Sequence, residues 1–346
     1  MIYRTQIDKA MKKLSLIFSF FLFTVGYAQD NIGDLLTSGV NDAQRFAQSF
    51  LNPASEGLIH NLNNGWFNSG KVKKVLGFEI AIIGNASFVS NENRNFVLDV
   101  NDFENLRFEN PATTRQVVST AFGDIEGVRV VVEGPLPGAV DDAVFELPTG
   151  LGSENINFVP TAFVQASLGI FKGTELKARF TPDINLEDTE IGLFGVGIQH
   201  EFTTWLPARS IFPVAISGLI AYTNLDASYD FTETSLVGGS DQRIESSTNT
   251  WLFQLVGSTK LPVFNVYGGV GYITGNSETD LLGTYSVTSG VIAGDTVVDP
   301  FSIENDVSGV RATLGIKLKL GFFRLHTDYT LADYSNLSLG LSFGFR

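Results

Sequence analysis

The residues best suited to chemistry are basic side chains at alternate positions near the middle and end of the chain. Lys177 and Arg179 share one face of a short alternating segment; Arg311, Lys317 and Lys319 share one face of another; Arg324 and His326 share one face of a third. Residues two apart on a strand point the same way, so each set projects to one side of a sheet. Glu79, Glu175, Glu201 and Asp328 fall on the same side of their own segments. Forked guanidiniums and ammoniums of this kind can hold a carboxylate or phosphate headgroup. They can equally pair with the carboxylates opposite, and in a narrow interior every charge must find a partner. Packed ion pairs are the expected resting state. A nucleophilic triad is conceivable from His326, Asp328 and the serines Ser338 and Ser342, but a polar wall contact is the expected role of His326. Of the other two histidines, His200 is expected to face lipid near a strand end and His60 to belong to the N-terminal segment. The expectation is no enzyme, no metal and no cofactor.

The elements that carry these residues alternate with a period of two. In the last segment Leu337, Leu339, Leu341, Phe343 and Phe345 alternate with Asn336, Ser338, Gly340, Ser342 and Gly344. Val310, Ala312, Leu314, Ile316, Leu318 and Leu320 alternate with Arg311, Thr313, Gly315, Lys317 and Lys319. The apolar face is broad and the other face is polar or small, which fits lipid outside and a polar lumen inside. Ten such strands are readable between Phe78 and Phe345. Connections alternate between tight (171–175, 261–262, 321–322) and long (90–155, 182–190, 231–248, 276–305). Segments 116–122 and 128–133 could form a further hairpin and raise the count to twelve, or fold into or above the barrel. The fold class expected is all-β: a transmembrane antiparallel β-barrel of about 10–12 strands over 71–346. With both termini on one side, the long connections all lie on the other, and aromatics such as Phe202, Trp205, Phe264, Phe323 and Phe345 mark the near rim.

Ahead of the strands, Met11, Lys12 and Lys13 precede an apolar run over 14–25 and the small-x-small Gly26-Tyr27-Ala28. That is the pattern of a signal peptide, here 1–28. Residues 29–70 read as two short helical pieces, 30–50 and 55–67. Asn52-Pro53-Ala54 breaks the run, because proline disfavours helix at the residue before it. Such a segment would sit in the periplasm or plug the lumen. The 346 residues contain no cysteine, which excludes disulfides and thiolate chemistry. A formal net charge of -14 argues against nucleic acid as a partner. The acidic residues Asp183, Glu187, Asp188 and Glu190 do not follow a calcium-loop spacing.

The final strand, with Phe345 next to last, resembles those of bacterial outer-membrane barrels, which implies recognition by the barrel-assembly machinery and contact with outer-membrane lipid. The chain as a whole resembles an uncharacterised family of outer-membrane barrels from Bacteroidetes-type bacteria. Asn52-Pro53-Ala54, lying between an amphipathic segment and the first strand, resembles the hatch motif of the long-chain fatty-acid transporter (FadL-like) family. The resemblance implies passive uptake of a small hydrophobic or amphipathic molecule through an outer-membrane barrel gated by its N-terminal segment. Asn52, Pro53 and Ala54 would then belong to the hatch, and Lys317, Lys319, Arg324 and His326 to the ligand-holding wall. The other reading is a structural or surface-interaction barrel acting through long acidic external loops.

Overall fold

The computed structural model describes residues 34–134, 142–186, 188–207, 213–231 and 238–345. Strand β1 (Phe78–Phe88) is followed by five short strands, β2 (Asn95–Asp99), β3 (Leu106–Phe108), β4 (Arg115–Ser119), β5 (Arg129–Val132) and β6 (Ala143–Glu146). Then come β7 (Phe158–Phe171), β8 (Thr174–Leu186), β9 (Thr189–Glu201), β10 (Val214–Asp230), β11 (Gly238–Thr259) and β12 (Phe264–Ser286). The short β13 (Thr296–Val298) precedes β14 (Phe301–Leu320), β15 (Phe323–Leu331) and β16 (Asn336–Phe345). Ten of these pair antiparallel in the order β11-β10-β9-β8-β7-β1-β16-β15-β14-β12, and β11 pairs with β12 to close the ring. The first and last strands are neighbours, with Phe78 opposite Phe345 and Ser87 opposite Asn336. Closure leaves no free edge in the wall, which lipid would not tolerate.

Side-chain alternation assigns the two faces. On β16, Leu339 is 55% exposed and Ser338 is fully buried. Leu314, Ile316, Phe194, Val196, Ile80 and Ile82 point outward in the same way, while Arg311, Lys317, Arg179 and Glu79 point inward. The outer face therefore presents apolar side chains to the membrane and the lumen collects the polar ones, as the period-two pattern requires. Aromatics gather where β14 turns into β15 and β16 ends: Phe322 stacks on Phe345 at 6.2 Å and Phe323 meets Phe343 at 6.1 Å. This is the terminal end of the barrel. The opposite, loop end carries the long connections.

Several expectations are corrected. The stretches 182–190, 231–248 and 276–305 are not simply loops. Among their described residues, 182–186, 238–248, 276–286 and 301–305 continue barrel strands. They pair through polar residues such as Ser246 with Thr279, whose hydroxyls lie 3.1 Å apart. Mixed polar composition hid them, since strands that rise beyond the apolar belt lose the lipid-facing half of the pattern. Segments 116–122 and 128–133 do not form a hairpin with each other. β4 pairs with β2, and β5 with β3 and β6, so the barrel stays at ten strands. These short strands pack over the loop end as a cap, their Leu98, Leu106, Val118 and Val130 joining one buried cluster with Leu193, Leu225 and Leu281 of the wall.

The N-terminal segment is one continuous helix rather than two pieces. Helix α1 (Val40–Leu62) contains Pro53 in its interior. An internal proline removes a hydrogen bond and costs about 3 kcal/mol. Burial of Phe46, Phe50, Leu58, Ile59 and Leu62 opposes that cost at about 2 kcal/mol per side chain. Packing therefore outweighs the local break. The helix also starts at the loop end, not at the terminal end. Val291, between β12 and β14, donates its N–H to Thr37 O at 3.0 Å, and Asn105 of the cap reaches Ser38 O at 2.8 Å. α1 enters from the loop end and runs down inside the barrel to mid-depth, and residues 63–77 continue to the foot of β1. The N-terminal end, on which the expectation of both chain ends on one side rests, lies outside the described residues. Residues 1–33, with the expected signal peptide, lie outside the described residues.

Candidate functional site

The site is the interface between this internal plug and the wall, and it changes character with depth. At the top, the Asp42 carboxylate accepts the backbone N–H groups of Glu104, Asn105 and Leu106 at 2.7–3.1 Å, tying helix to cap. Gln44 and Gln48 donate to the carbonyls of Ser302 and Glu304 at the top of β14. Between these contacts lies apolar packing: Phe46 sits 5.8 Å from both Phe50 and Phe96. Asn52 donates to Glu56 Oε1 at 2.8 Å, and Glu56 in turn accepts from the Tyr334 hydroxyl at 2.9 Å. Pro53 is buried and Ala54 half-buried.

At mid-depth the helix ends in Asn61-Leu62-Asn63-Asn64-Gly65, and the wall grips this turn. Asn61 donates to Val159 O at 2.5 Å and accepts from the Thr161 hydroxyl. Asn63 donates to the Thr250 hydroxyl at 2.5 Å. Arg179 donates from Nη1 to Leu62 O at 2.8 Å and from Nη2 to Asn64 O at 3.0 Å, with Gln165 Oε1 as a further acceptor at 2.9 Å. Its guanidinium lies between two rings, 3.7 Å from the Trp66 centroid and 4.0 Å from that of Phe163. Arg311 donates to Asn63 O at 3.0 Å, to Asn64 Oδ1, and to the Thr330 hydroxyl at 3.1 Å. Gly195 and Gly197 on β9 make room for this stack. A Cβ at Gly195 would stand 2.8 Å from Arg179 Cγ, and one at Gly197 3.0 Å from the Trp66 ring.

At the terminal end the interface is ionic. Glu79 is shared by Arg324 at 2.9 Å, Lys317 at 3.5 Å and Lys73 at 3.8 Å. Glu175 pairs with Lys177 at 2.7 Å and Lys73 at 3.3 Å. The plug's Asn68 bridges the group, donating to Glu79 at 2.9 Å and accepting from Lys317 at 2.7 Å. Glu201 accepts the Val72 N–H, and Gln199 donates to Ser69 O at 2.8 Å. Two of these carboxylates and two of these lysines are each over 90% buried, so their mutual pairing offsets a large desolvation penalty.

The residues expected to hold a ligand are therefore not gathered in one place. Lys317 and Arg324 lie together on the lower wall, but both are committed to Glu79. Lys319 is half-buried beside Arg324 across the β14–β15 turn. His326 is fully inside, its ring lying where a Cβ on Gly340 would stand, and neither ring nitrogen makes a hydrogen bond among the described residues. Asp328 accepts instead from the Tyr267 hydroxyl at 2.7 Å, so His326 and Asp328 are not joined as a triad would require. Asn52, Pro53 and Ala54 lie elsewhere: at 1.5 Å per residue, Pro53 is about 14 Å up the helix from Leu62. His200 faces outward at the terminal rim, bonded to Thr174 and Trp205. Sequence reasoning overlooked Asn61, Asn63, Asn64, Trp66 and Gln165. The dense Asn-Leu-Asn-Asn-Gly run was the available signal, because so many amides in one short turn demand partners.

Fold and interface together define a ten-stranded transmembrane-type β-barrel whose lumen is occupied by its own N-terminal helix. The chain belongs to a family of unknown function (DUF6588), whose model matches residues 11–345. None of the curated proteins matches it. Among solved structures it is similar to Ail, the attachment invasion locus protein of Yersinia pestis, at 10% identity and a TM-score of 0.27, covering 78% of this chain and 99% of that one. It is also similar to the outer membrane protease OmpT of Escherichia coli, at 9% identity and a TM-score of 0.33, covering 80% and 100%. A third is the outer membrane transporter YddB of Escherichia coli, at 12% identity and a TM-score of 0.28, covering 75% of this chain and 39% of that one. These similarities concern the fold alone.

Proposed function

We propose that the protein is a bacterial outer-membrane barrel for passive uptake of a small hydrophobic or amphipathic molecule, gated by its N-terminal segment. The observation that carries this reading is the plug: α1 and residues 63–77 run the length of a lumen whose wall carries many polar side chains among apolar ones such as Leu193, Leu225, Leu252 and Val256. Gln165, Gln199, Ser217, Thr223, Thr250 and Gln254 all face inward and are buried. Displacing the lower plug would leave them as the lining of a wet passage. Several inward polar atoms, including both amide atoms of Gln254 and Gln199 Oε1, make no hydrogen bond among the described residues. Buried groups of this kind are usually met by water, which marks the plug–wall seam as hydratable. Asn52-Pro53-Ala54 on a helix within the lumen also agrees with the hatch that the fatty-acid transporter resemblance implies.

The test is a reversible lock. Asn63 and Thr250 are in side-chain contact across the seam, so a cysteine pair at 63 and 250 would fasten plug to wall. Uptake of decanoate by proteoliposomes should be blocked when the pair is oxidised and restored by reductant. Equal uptake in both states would overturn the gate.

A second reading has its own observation. The cap exposes Val97 and Val117, opposite one another on β2 and β4, together with Val144 on β6. Exposed apolar side chains on a cap suit a partner protein, and a barrel that acts through them would tolerate the lock unchanged.

A further inference from the structure

Arg179 and Arg311 converge on the last turn of α1, both fully within the lumen, and among the described residues neither has a carboxylate within ion-pair distance. Every other buried cation at this interface does: Lys73, Lys177 and Lys317 each pair with Glu79 or Glu175. The two guanidiniums instead hold the carbonyls of Leu62, Asn63 and Asn64 and the side chain of Asn64. Those carbonyls are the electronegative end of a helix, carrying roughly half a negative charge. They are a partial substitute for an anion. The substitution is incomplete, since Arg311 Nε is buried with no hydrogen-bond partner among the described residues. A buried guanidinium that lacks a counter-ion is costly, and a carboxylate satisfies its fork far better than neutral carbonyls do.

We infer that Arg179 and Arg311 form the binding site for the carboxylate headgroup of the transported molecule, and that the helix end occupies this site in the closed state. The inference rests on the gated-passage reading and names its substrate class and trigger. An incoming carboxylate competes with Leu62, Asn63 and Asn64 for the two guanidiniums. As it binds, the helix end loses its guanidinium contacts and the lower plug is loosened; the Asn61 and Asn63 hydrogen bonds and the Trp66 and Phe67 packing are the contacts still to give way. The arginines thus serve as latch for the plug and as receptor for the ligand. Trp66 and Phe163, which cover the two faces of Arg179, leave only its edge open, so recognition is through the planar fork. The alkyl chain needs no site of its own for this step.

The experiment is hydrogen exchange of the full chain in a neutral detergent, with decanoate or decanol as probe, followed on peptides covering 58–70. Charge-assisted hydrogen bonds are worth enough that decanoate should raise exchange at 62–65 by roughly tenfold, against less than about twofold for decanol. An equal response to both probes would overturn the proposal, since the plug would then respond to the alkyl chain. In Arg179→Gln with Arg311→Gln, basal exchange should rise and the decanoate response vanish; a retained response would also overturn it. If that double variant does not fold, Arg311→Lys keeps the charge without the fork and should weaken the half-maximal decanoate concentration by about tenfold. The two readings fail separately. A plug indifferent to decanoate whose 63–250 lock still blocks uptake removes the anion latch and leaves the gate standing. A lock without effect on uptake removes the gate, and with it the trigger.

Discussion

The upper and lower halves of the plug are held by different physics. Above Pro53, α1 is packed into one apolar cluster with the cap and the wall, through Phe46, Phe50, Phe96, Leu98 and Leu106. Below Leu62, the chain is held largely by carbonyls, amides and ion pairs, through Arg179, Arg311, Asn68, Lys73 and Glu79, beside a smaller apolar cluster in which Trp66 and Phe67 pack against Leu219, Leu252, Val256 and Tyr267. The first kind of contact can be lost only by exposing apolar surface to water. The second can be exchanged, because water, salt or a ligand offers the same hydrogen bonds and charges. A gate has to open where contacts are exchangeable, so the contrast assigns the hinge of any motion to the middle of α1 and the moving part to its foot. Pro53, where the helix has already given up one hydrogen bond, lies at that boundary.

The largest effect should come from the upper half. Phe46→Ala removes a ring at the centre of the apolar cluster and should destabilise the protein by about 3–5 kcal/mol, read as a lowered midpoint of urea unfolding in detergent. A loss confined to the cap peptides, with the midpoint unchanged, would deny that the upper half is one core. Next, Glu79→Ala strands two cations, Lys317 and Arg324, while Lys73 keeps Glu175, and should cost about 3 kcal/mol. Its signature should be local, with faster hydrogen exchange over 68–76 and little change over 44–52. Uniform acceleration along the plug would erase the distinction between the halves. Pro53→Ala restores an N–H and a better helix former at the boundary, and should stabilise the helix by about 2 kcal/mol, the proline cost less the chain entropy regained on unfolding, while slowing uptake. Faster uptake would mean that the boundary is elsewhere. The smallest change should be with salt. Raising it from 0.1 to 1 M shortens the screening length from about 10 to about 3 Å. Burial limits screening, so exchange over 68–76 should rise only about twofold and that over 44–52 not at all.

How much of this was legible depends on whether neighbours in the chain or neighbours in space set the outcome. The strands β1, β14, β15 and β16 were plain, since lipid on one side and lumen on the other impose a period of two on consecutive residues. The upper reaches of β11, β12 and β14 were not, because beyond the lipid the outward face no longer has to be apolar. Arg179, Arg311, Lys317 and Arg324 could be assigned to the inner face from spacing alone. That Lys317 and Arg324 are spent on Glu79, while Arg179 and Arg311 hold a helix end with Gln165 and Thr330, could not. Glu79 and the helix end lie more than 100 residues away in the chain, and only ring closure brings them together.

The amino-acid sequence by itself determined the class of barrel, the facing of its side chains and the existence of an N-terminal segment distinct from the strands. Each follows from the solvent a residue meets, and alternation along the chain records that directly. Tertiary structure decided that Asn52-Pro53-Ala54 continues a helix, that the helix enters from the loop end, and which cations pair with Glu79 or Glu175. In each case a local preference worth a few kcal/mol was overruled by burial inside a closed wall. That burial sums over residues distant in the chain, and no local pattern reports it.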